Sequence, residues 1–305
     1  MRIFLTGATG FIGSRIVPEL LEAGHEVLGL TRSDSGARAL EEAGARVHRG
    51  TLEDLASLRT GAEQADAVIH TAFDHDFSNF AANCEKDRAA ITAMGEVLKG
   101  SKRPMLITSG TGLGSHADGS PATEDVFDHA HPNPRAASEQ AGQALLEAGV
   151  HVDAMRLPQV HDPVRQGLIS PLVAISRAKG RVAYVGEGLN RWPAGHVLDV
   201  AHLYRLAIDK ALADGTPGAR WHAVAEEGIT ARAIAEVLGA GLGLPVTSLT
   251  PEQAPEHFGW MAMFAALDMP ASSAWTRAQL GWNPKGPGML IDLQAMDYSA
   301  EALAG

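Results

Sequence analysis

The chain has 305 residues, a formal net charge of −11 and no basic run or stripe, which argues against nucleic acid or an anionic membrane as its main partner. A single cysteine, Cys84, permits no internal disulfide. No apolar run is long enough to span a bilayer, and the first residues hold no charged leader followed by an apolar stretch, so the cytoplasm is the expected location.

Apolar runs alternate with amphipathic ones through the first half. Strands are predicted at 2–6, 26–31, 45–49, 67–72, 104–109 and 151–157, with helices at 11–23, 35–43, 53–62, 78–99 and 135–148. Short apolar strands separated by helical runs imply an α/β chain with a doubly wound parallel sheet. In the first helix Ile12, Ile16, Val17, Leu20 and Leu21 share one stripe, and Pro18 is expected to kink it. Cys84 falls in a predicted helix, as a small buried apolar residue. After 157 the rhythm loosens at Pro158, Pro163, Pro171, Gly186, Gly188 and Pro193. A helix at 199–213, a strand near 219–224, a helix at 230–240 and proline-separated helical pieces follow. The reading is a first domain at 1–157 and a smaller C-terminal region at 158–305, with segments near 195–224 returning to the first.

Residues 2–13, RIFLTGATGFIG, run from a strand through Gly7, Gly10 and Gly13 into a helix. Glycines there let the backbone approach a pyrophosphate, and the helix start offers free N–H groups and a positive dipole end. The pattern implies a dinucleotide. The second strand ends Leu30-Thr31-Arg32-Ser33, where an acid would bind ribose hydroxyls in an NAD site. Arg32 instead suits a 2′-phosphate, so NADP(H) is expected, with Asp34 near enough to leave NAD(H) open.

TGATGFIG at 6–13, VIHTA at 68–72, ITSGTGLG at 107–114, MRLPQVHDP at 155–163, HVLDVAHLY at 196–204 and QLGWNP at 279–284 resemble, in order and spacing, the extended short-chain dehydrogenase/reductase superfamily, in particular NAD-dependent epimerase/dehydratase-type proteins. The resemblance implies a Rossmann-type domain with a smaller C-terminal substrate-binding region. It implies cofactor contacts at Gly7, Thr9, Gly10, Phe11, Ile12, Gly13, Arg32, Leu52, Thr71, Ala72 and Pro158. It also implies a catalytic hydroxyl after the fifth strand, matched by Ser109 with Thr111 nearby, and a Tyr-x-x-x-Lys pair on the next helix. Arg135 stands at the Tyr position and Glu139 at the Lys position, so the chain resembles an atypical member.

Arginine stays protonated and cannot replace a tyrosine as proton donor, but it can stabilise an oxyanion. Glu139 can accept from ribose hydroxyls, or Arg135 and Glu139 form a surface i,i+4 salt bridge. His75, in Asp74-His75-Asp76, and His161 both follow strands and are candidate proton relays. The Asp-His-Asp run and His129-x-His131 fit no metal-ligand spacing, so no metal is expected. Residues 182–198 resemble the family's loop into the substrate region; Tyr184 within it is read as structural or as a displaced acid. Trp192 and the run Phe258 to Phe264 either cap an apolar substrate pocket or form core or a dimer face. The leading reading is an NADPH-dependent reductase of a small carbonyl or imine. A nucleotide-sugar epimerase or dehydratase is the second, and a non-catalytic NADP(H)-binding sensor the third. A homodimer is compatible with any of them.

Overall fold

The computed structural model describes residues 1–299. The chain runs β1 (Arg2–Thr6), α1 (Gly13–Glu22), β2 (Glu26–Thr31), α2 (Asp34–Glu42), β3 (Arg46–Arg49), α3 (Leu55–Glu63), β4 (Ala67–His70), α4 (Phe80–Glu96), β5 (Met105–Gly110), α5 (Ala136–Glu147) and β6 (Val152–Leu157). It continues through β7 (Gln159–His161), α6 (Ile169–Lys179), β8 (Val182–Val185), β9 (Arg191–His196), α7 (Val197–Asp214), β10 (Arg220–His222), β11 (Glu226–Thr230), α8 (Ala231–Leu242) and β12 (Val246–Leu249). Four short helices close it: α9 (Ala254–Phe258), α10 (Ala262–Ala265), α11 (Ala274–Leu280) and α12 (Met289–Ala295).

Seven strands form one sheet in the order β10-β6-β5-β4-β1-β2-β3, with every neighbouring pair parallel. The strand period of two sends alternate side chains to opposite faces. Ile3, Leu5, Leu106 and Met155 therefore join Ile16, Leu20, Leu203 and Tyr204 under α1 and α7. Phe4, Met105, Ile107 and Val152 join Leu58, Ile91, Met94 and Leu145 under α3, α4 and α5. This is a Rossmann-like doubly wound sheet with helices on both faces. Ligands in such sheets bind beyond the carboxyl ends of the strands. The loops after β1, β4, β5 and β6 converge there.

Pro18 lies on the exposed side of α1, and the helix continues past it to Glu22. Two smaller sheets, β11-β9-β7 and β12-β8, gather a second core from Ile169, Trp192, Ile234, Leu238, Phe258, Met261 and Leu293. None of these five strands, nor α6, stands out in the sequence. Pro171 reads as a breaker, yet it occupies the first turn of α6, where the backbone N–H has no helical acceptor in any case. β10 and α7, although C-terminal, belong to the large sheet and its first core.

Close packing fixes one testable contact. A Cβ built on Gly61 of α3 would lie 2.3 Å from the ring of Phe4, which is fully buried. Gly61→Ala is expected to cost about 1–2 kcal/mol, because overpacking outweighs the gain in helix propensity. Denaturant unfolding checks this; unchanged stability would show that Phe4 yields freely.

Candidate active site

The glycine loop is built for close approach. Gly7 has φ +70°, and a Cβ there would lie 2.6 Å from Thr71 Oγ1 and 2.8 Å from the Ala72 nitrogen. A Cβ on Gly13 would lie 2.1 Å from the Gly7 carbonyl oxygen. The Gly10 amide donates to the Gly7 carbonyl at 2.9 Å, closing the turn. Helix α1 then starts with no side-chain cap and no acid in its first turn. Among the described residues the Phe11 and Ile12 amides have no protein acceptor. Free amides at a positive helix end, with no side chain in the way, fit the pyrophosphate of a dinucleotide.

At the end of β2, Arg32 is exposed and makes no ion pair among the described residues. It adjoins Ser33, which caps α2 by accepting from the Gly36 amide at 3.0 Å. Asp34 does not compete for a ribose from a free position: it accepts from Arg49 at 2.6 Å. Leu52, Thr71, Ala72 and Pro158 are half-buried along the same sheet edge, and Thr71 Oγ1 donates to the Thr6 carbonyl at 2.8 Å.

Arg135 and Glu139 do not pair with each other, which corrects the i,i+4 salt-bridge alternative. Each turns to a buried partner on another element. Arg135, at the start of α5, donates from Nη1 to Asp87 Oδ2 at 2.7 Å and from Nη2 to the Thr108 carbonyl at 2.8 Å. It also donates to Ser138 Oγ, and its guanidinium stands 4.2 Å over the Phe73 ring. Asp87, on α4, further accepts from Ser138 at 2.5 Å and meets His70 Nε2 at 2.9 Å. Burial alone would raise the Asp87 pKa; the Arg135 charge and the His70 contact overcome it and hold the carboxyl well below its usual range. His70 Nδ1 reaches Thr6 Oγ1 at 2.7 Å, so a polar chain runs from the end of β1 to Arg135.

Glu139 is 3% exposed. It accepts from Ser109 Oγ at 2.5 Å, from Arg156 Nε and Nη2 at 2.8 Å each, and from Arg220 Nε at 3.3 Å. Burial opposes its ionisation, but the bidentate Arg156 guanidinium wins and holds the Glu139 pKa below the ordinary value. Its oxygens are thus engaged within the protein. Arg156 also donates to the carbonyls of Thr123 at 3.2 Å and Val126 at 2.8 Å, tying the 115–135 loop to the sheet.

The other candidates sit apart. His75 is exposed on the loop after β4, edge-on to Phe73 at 5.3 Å. The protein packed around its ring, and after it the Arg135 charge, push its pKa down. His161 is fully buried and joined to Asp292 of α12 at 2.7 Å, facing His196 rather than Ser109. Thr111 is buried. Tyr184 lies in β8, in the two-stranded β12-β8 sheet, with Arg232 5.2 Å over its ring, and Trp192 is buried in the C-terminal core. Of the 258–264 run, Phe258 and Met261 are core. Trp260 instead stacks on Phe77 at 4.6 Å and bridges to the loop after β4. Cys84 is buried, which raises its thiol pKa to about 11. Among the described residues no cluster of His, Cys, Asp or Glu could hold a metal, and no helix is long and apolar enough to cross a membrane. Sequence reasoning missed Asp87, His70, Arg156 and Arg220. Arg156 carried a signal: VDAMRL is a mostly apolar strand holding two charges, Asp153 and Arg156, and a charge buried there must find a partner.

His222 completes the network as a neutral ring. Its Nδ1 donates to the Ser272 carbonyl at 2.8 Å, and its Nε2 accepts from Arg156 Nη1 at 3.3 Å. Burial pushes its pKa down to about 4, with Glu124 opposing and the Arg156 charge adding to the fall. In the unfolded chain it titrates near ~6.5, so between that pH and its folded pKa the unfolded state binds the extra proton and folding weakens as pH drops. The wild type is expected to lose stability from pH 6.5 downward, with this group adding up to about 1.4 kcal/mol per unit. His222→Gln should show a shallower slope in denaturant unfolding at pH 7, 6 and 5; equal slopes would contradict the assignment.

Comparison with known proteins places this geometry. Residues 3–219 match the model of the NAD dependent epimerase/dehydratase family. An uncharacterized protein of Schizosaccharomyces pombe is 44% identical over 98% of this chain and 100% of its own length. A 2-alkyl-3-oxoalkanoate reductase of Stenotrophomonas maltophilia is 28% identical over 80% of this chain and 77% of its own. Among solved structures, a UDP-glucose 4-epimerase of Thermus thermophilus in complex with NAD superposes with a TM-score of 0.73 at 21% identity, covering 100% of this chain and 99% of that one. The glycine-loop geometry and the match across most of the chain agree: the protein belongs to the NAD-dependent epimerase/dehydratase family.

Proposed function

We propose that the protein is an NADP(H)-dependent oxidoreductase that reduces a small carbonyl or imine compound. The observation that carries this reading is Arg135. It is fixed by Asp87, the Thr108 carbonyl and the Phe73 ring beside Ser109, where it can stabilise negative charge or orient a substrate but cannot give up a proton. Epimerisation and dehydration begin by removing a hydroxyl proton; the carboxylate beside Ser109, Glu139, is engaged by Arg156 and Arg220 and held ionised by them, which makes it a poor base, and no tyrosine stands beside Ser109 among the described residues. Tyr204 is no substitute: it is fully buried and its hydroxyl lies 2.6 Å from Thr108 Oγ1. Hydride delivery to an electrophilic carbon needs less. The names of two relatives agree with reduction: the 2-alkyl-3-oxoalkanoate reductase above and a ketoreductase of Stigmatella aurantiaca, 27% identical over 71% of this chain.

Gly7, Gly10 and Gly13, with the Phe11 and Ile12 amides, hold the pyrophosphate. Leu52, Thr71, Ala72 and Pro158 line the edge along which the rest of the dinucleotide lies, and Arg32 meets a 2′-phosphate. The bound dinucleotide supplies hydride. Phe73, Phe77 and Trp260 screen the mouth of the site from water.

Two measurements test this. NADPH is expected to bind at least about tenfold more tightly than NADH, a single charge-assisted contact's worth, and Arg32→Ala should narrow the gap; equal affinities in the wild type would remove the NADP(H) assignment. NADPH oxidation, followed at the nicotinamide absorbance over ketones, aldehydes and cyclic imines, should occur with the wild type. It should fall at least about tenfold in Arg135→Ala if that cation acts on the reacting charge. Turnover unaffected by this substitution would make Arg135 a structural residue.

A further inference from the structure

We propose that the reacting group of the substrate is a protonated imine carried beside a carboxylate, as in a cyclic imino acid. This rests on the reductase reading and narrows its substrate class. The direction of one hydrogen bond fixes what Ser109 can offer a ligand. A carboxylate only accepts, and a hydroxyl has one proton to give. Arg156 and Arg220 surround Glu139 with donors, so the proton of the 2.5 Å contact belongs to Ser109 and points at Glu139. Ser109 therefore has only lone pairs to offer a ligand. A ketone oxygen or an alkoxide would meet them acceptor to acceptor. An iminium N–H supplies the missing donor.

The carboxylate follows from Arg135. Its Nη1 and one Nη2 hydrogen are engaged by Asp87, Ser138 and the Thr108 carbonyl. The Nε hydrogen and a second Nη2 hydrogen have no protein acceptor among the described residues. The side chain keeps 15% of its surface exposed, and the Thr108 carbonyl that it grips adjoins Ser109. Two free N–H groups on a planar guanidinium match a carboxylate. The site thus offers a hydrogen-bond acceptor, Ser109 Oγ, at one end and a cation with two free N–H groups at the other, matching a ligand with N–H and COO⁻ a few bonds apart.

Such a substrate also removes the need for a proton donor. Hydride, two electrons and one hydrogen nucleus, adds to the imine carbon. The C=N π pair becomes the nitrogen lone pair, and the nitrogen keeps the proton that it brought. The products are a neutral secondary amine and oxidised dinucleotide, with no proton drawn from the protein.

Calorimetry on the NADP⁺-loaded protein tests the assignment without turnover. Three probes are compared: racemic pipecolate, racemic tetrahydropyran-2-carboxylate (ring oxygen in place of N–H) and piperidine (no carboxylate). Pipecolate is expected to bind at least about tenfold more tightly than either. Ser109→Ala should shrink the first contrast and Arg135→Ala the second. Tetrahydropyran-2-carboxylate binding as well as pipecolate, or neither binding, overturns the proposal in the wild type alone, whatever the variants do. The reductase reading fails separately, on absence of NADPH binding or of turnover with every carbonyl and imine tried.

Discussion

The candidate site depends on one buried ion pair, Glu139 with Arg156. Removing two charges from water costs several kcal/mol per ion, and only good geometry with further hydrogen bonds offsets it. Both conditions are met: two 2.8 Å bonds join guanidinium to carboxylate, and Ser109, Arg220, two loop carbonyls and His222 take up the remaining valences. Arg156 thereby links β6, α5, β10 and the 115–135 loop. Breaking the pair from either side would strand a charge in the interior, so the orientation of Ser109 and the packing of the sheet edge share one cause.

A second buried carboxylate plays a parallel part. Asp87 holds Arg135, and through His70 and Thr6 it connects that cation to the strand that leads into the glycine loop. The glycine loop and the candidate site are joined by a chain of polar contacts. On the outer side, Phe73, Phe77 and Trp260 carry the apolar surface across from the loop after β4 to the C-terminal region. The candidate site is polar at its floor and aromatic at its mouth.

How much of this was legible in the sequence follows the range of the forces involved. Strand β1, its glycines and α1 are written in local residues and were readable to within a residue or two, as were the other strands and helices up to β6 apart from the end of α4, which stops at Glu96 rather than 99; period and turn chemistry are local. The C-terminal strands were not: β9 reads RWPAGH, with no alternation, since it is buried on both sides between β7 and β11. Arg135, Ser109 and Glu139 could be singled out by position in a motif, but their partners could not. Asp87 lies 48 residues from Arg135, and no periodicity links positions that only the fold brings together. The salt bridge suggested by i,i+4 spacing gave way to these long-range partners because a charge taken into the interior must be met there by a hydrogen-bonded counter-ion, and Asp87 and Arg156 are the ones the fold places at 2.7 and 2.8 Å.

The chemistry of the site turns on the location of one hydrogen. Neutron diffraction from a perdeuterated crystal at neutral pH would show it directly. Deuterium is expected on Ser109 Oγ, aimed at an unprotonated Glu139 carboxylate flanked by the fully deuterated Arg156 guanidinium. Deuterium on Glu139, with the Ser109 hydroxyl turned toward the cleft, would contradict it, for Ser109 would then be a donor and the site would be built for a carbonyl oxygen.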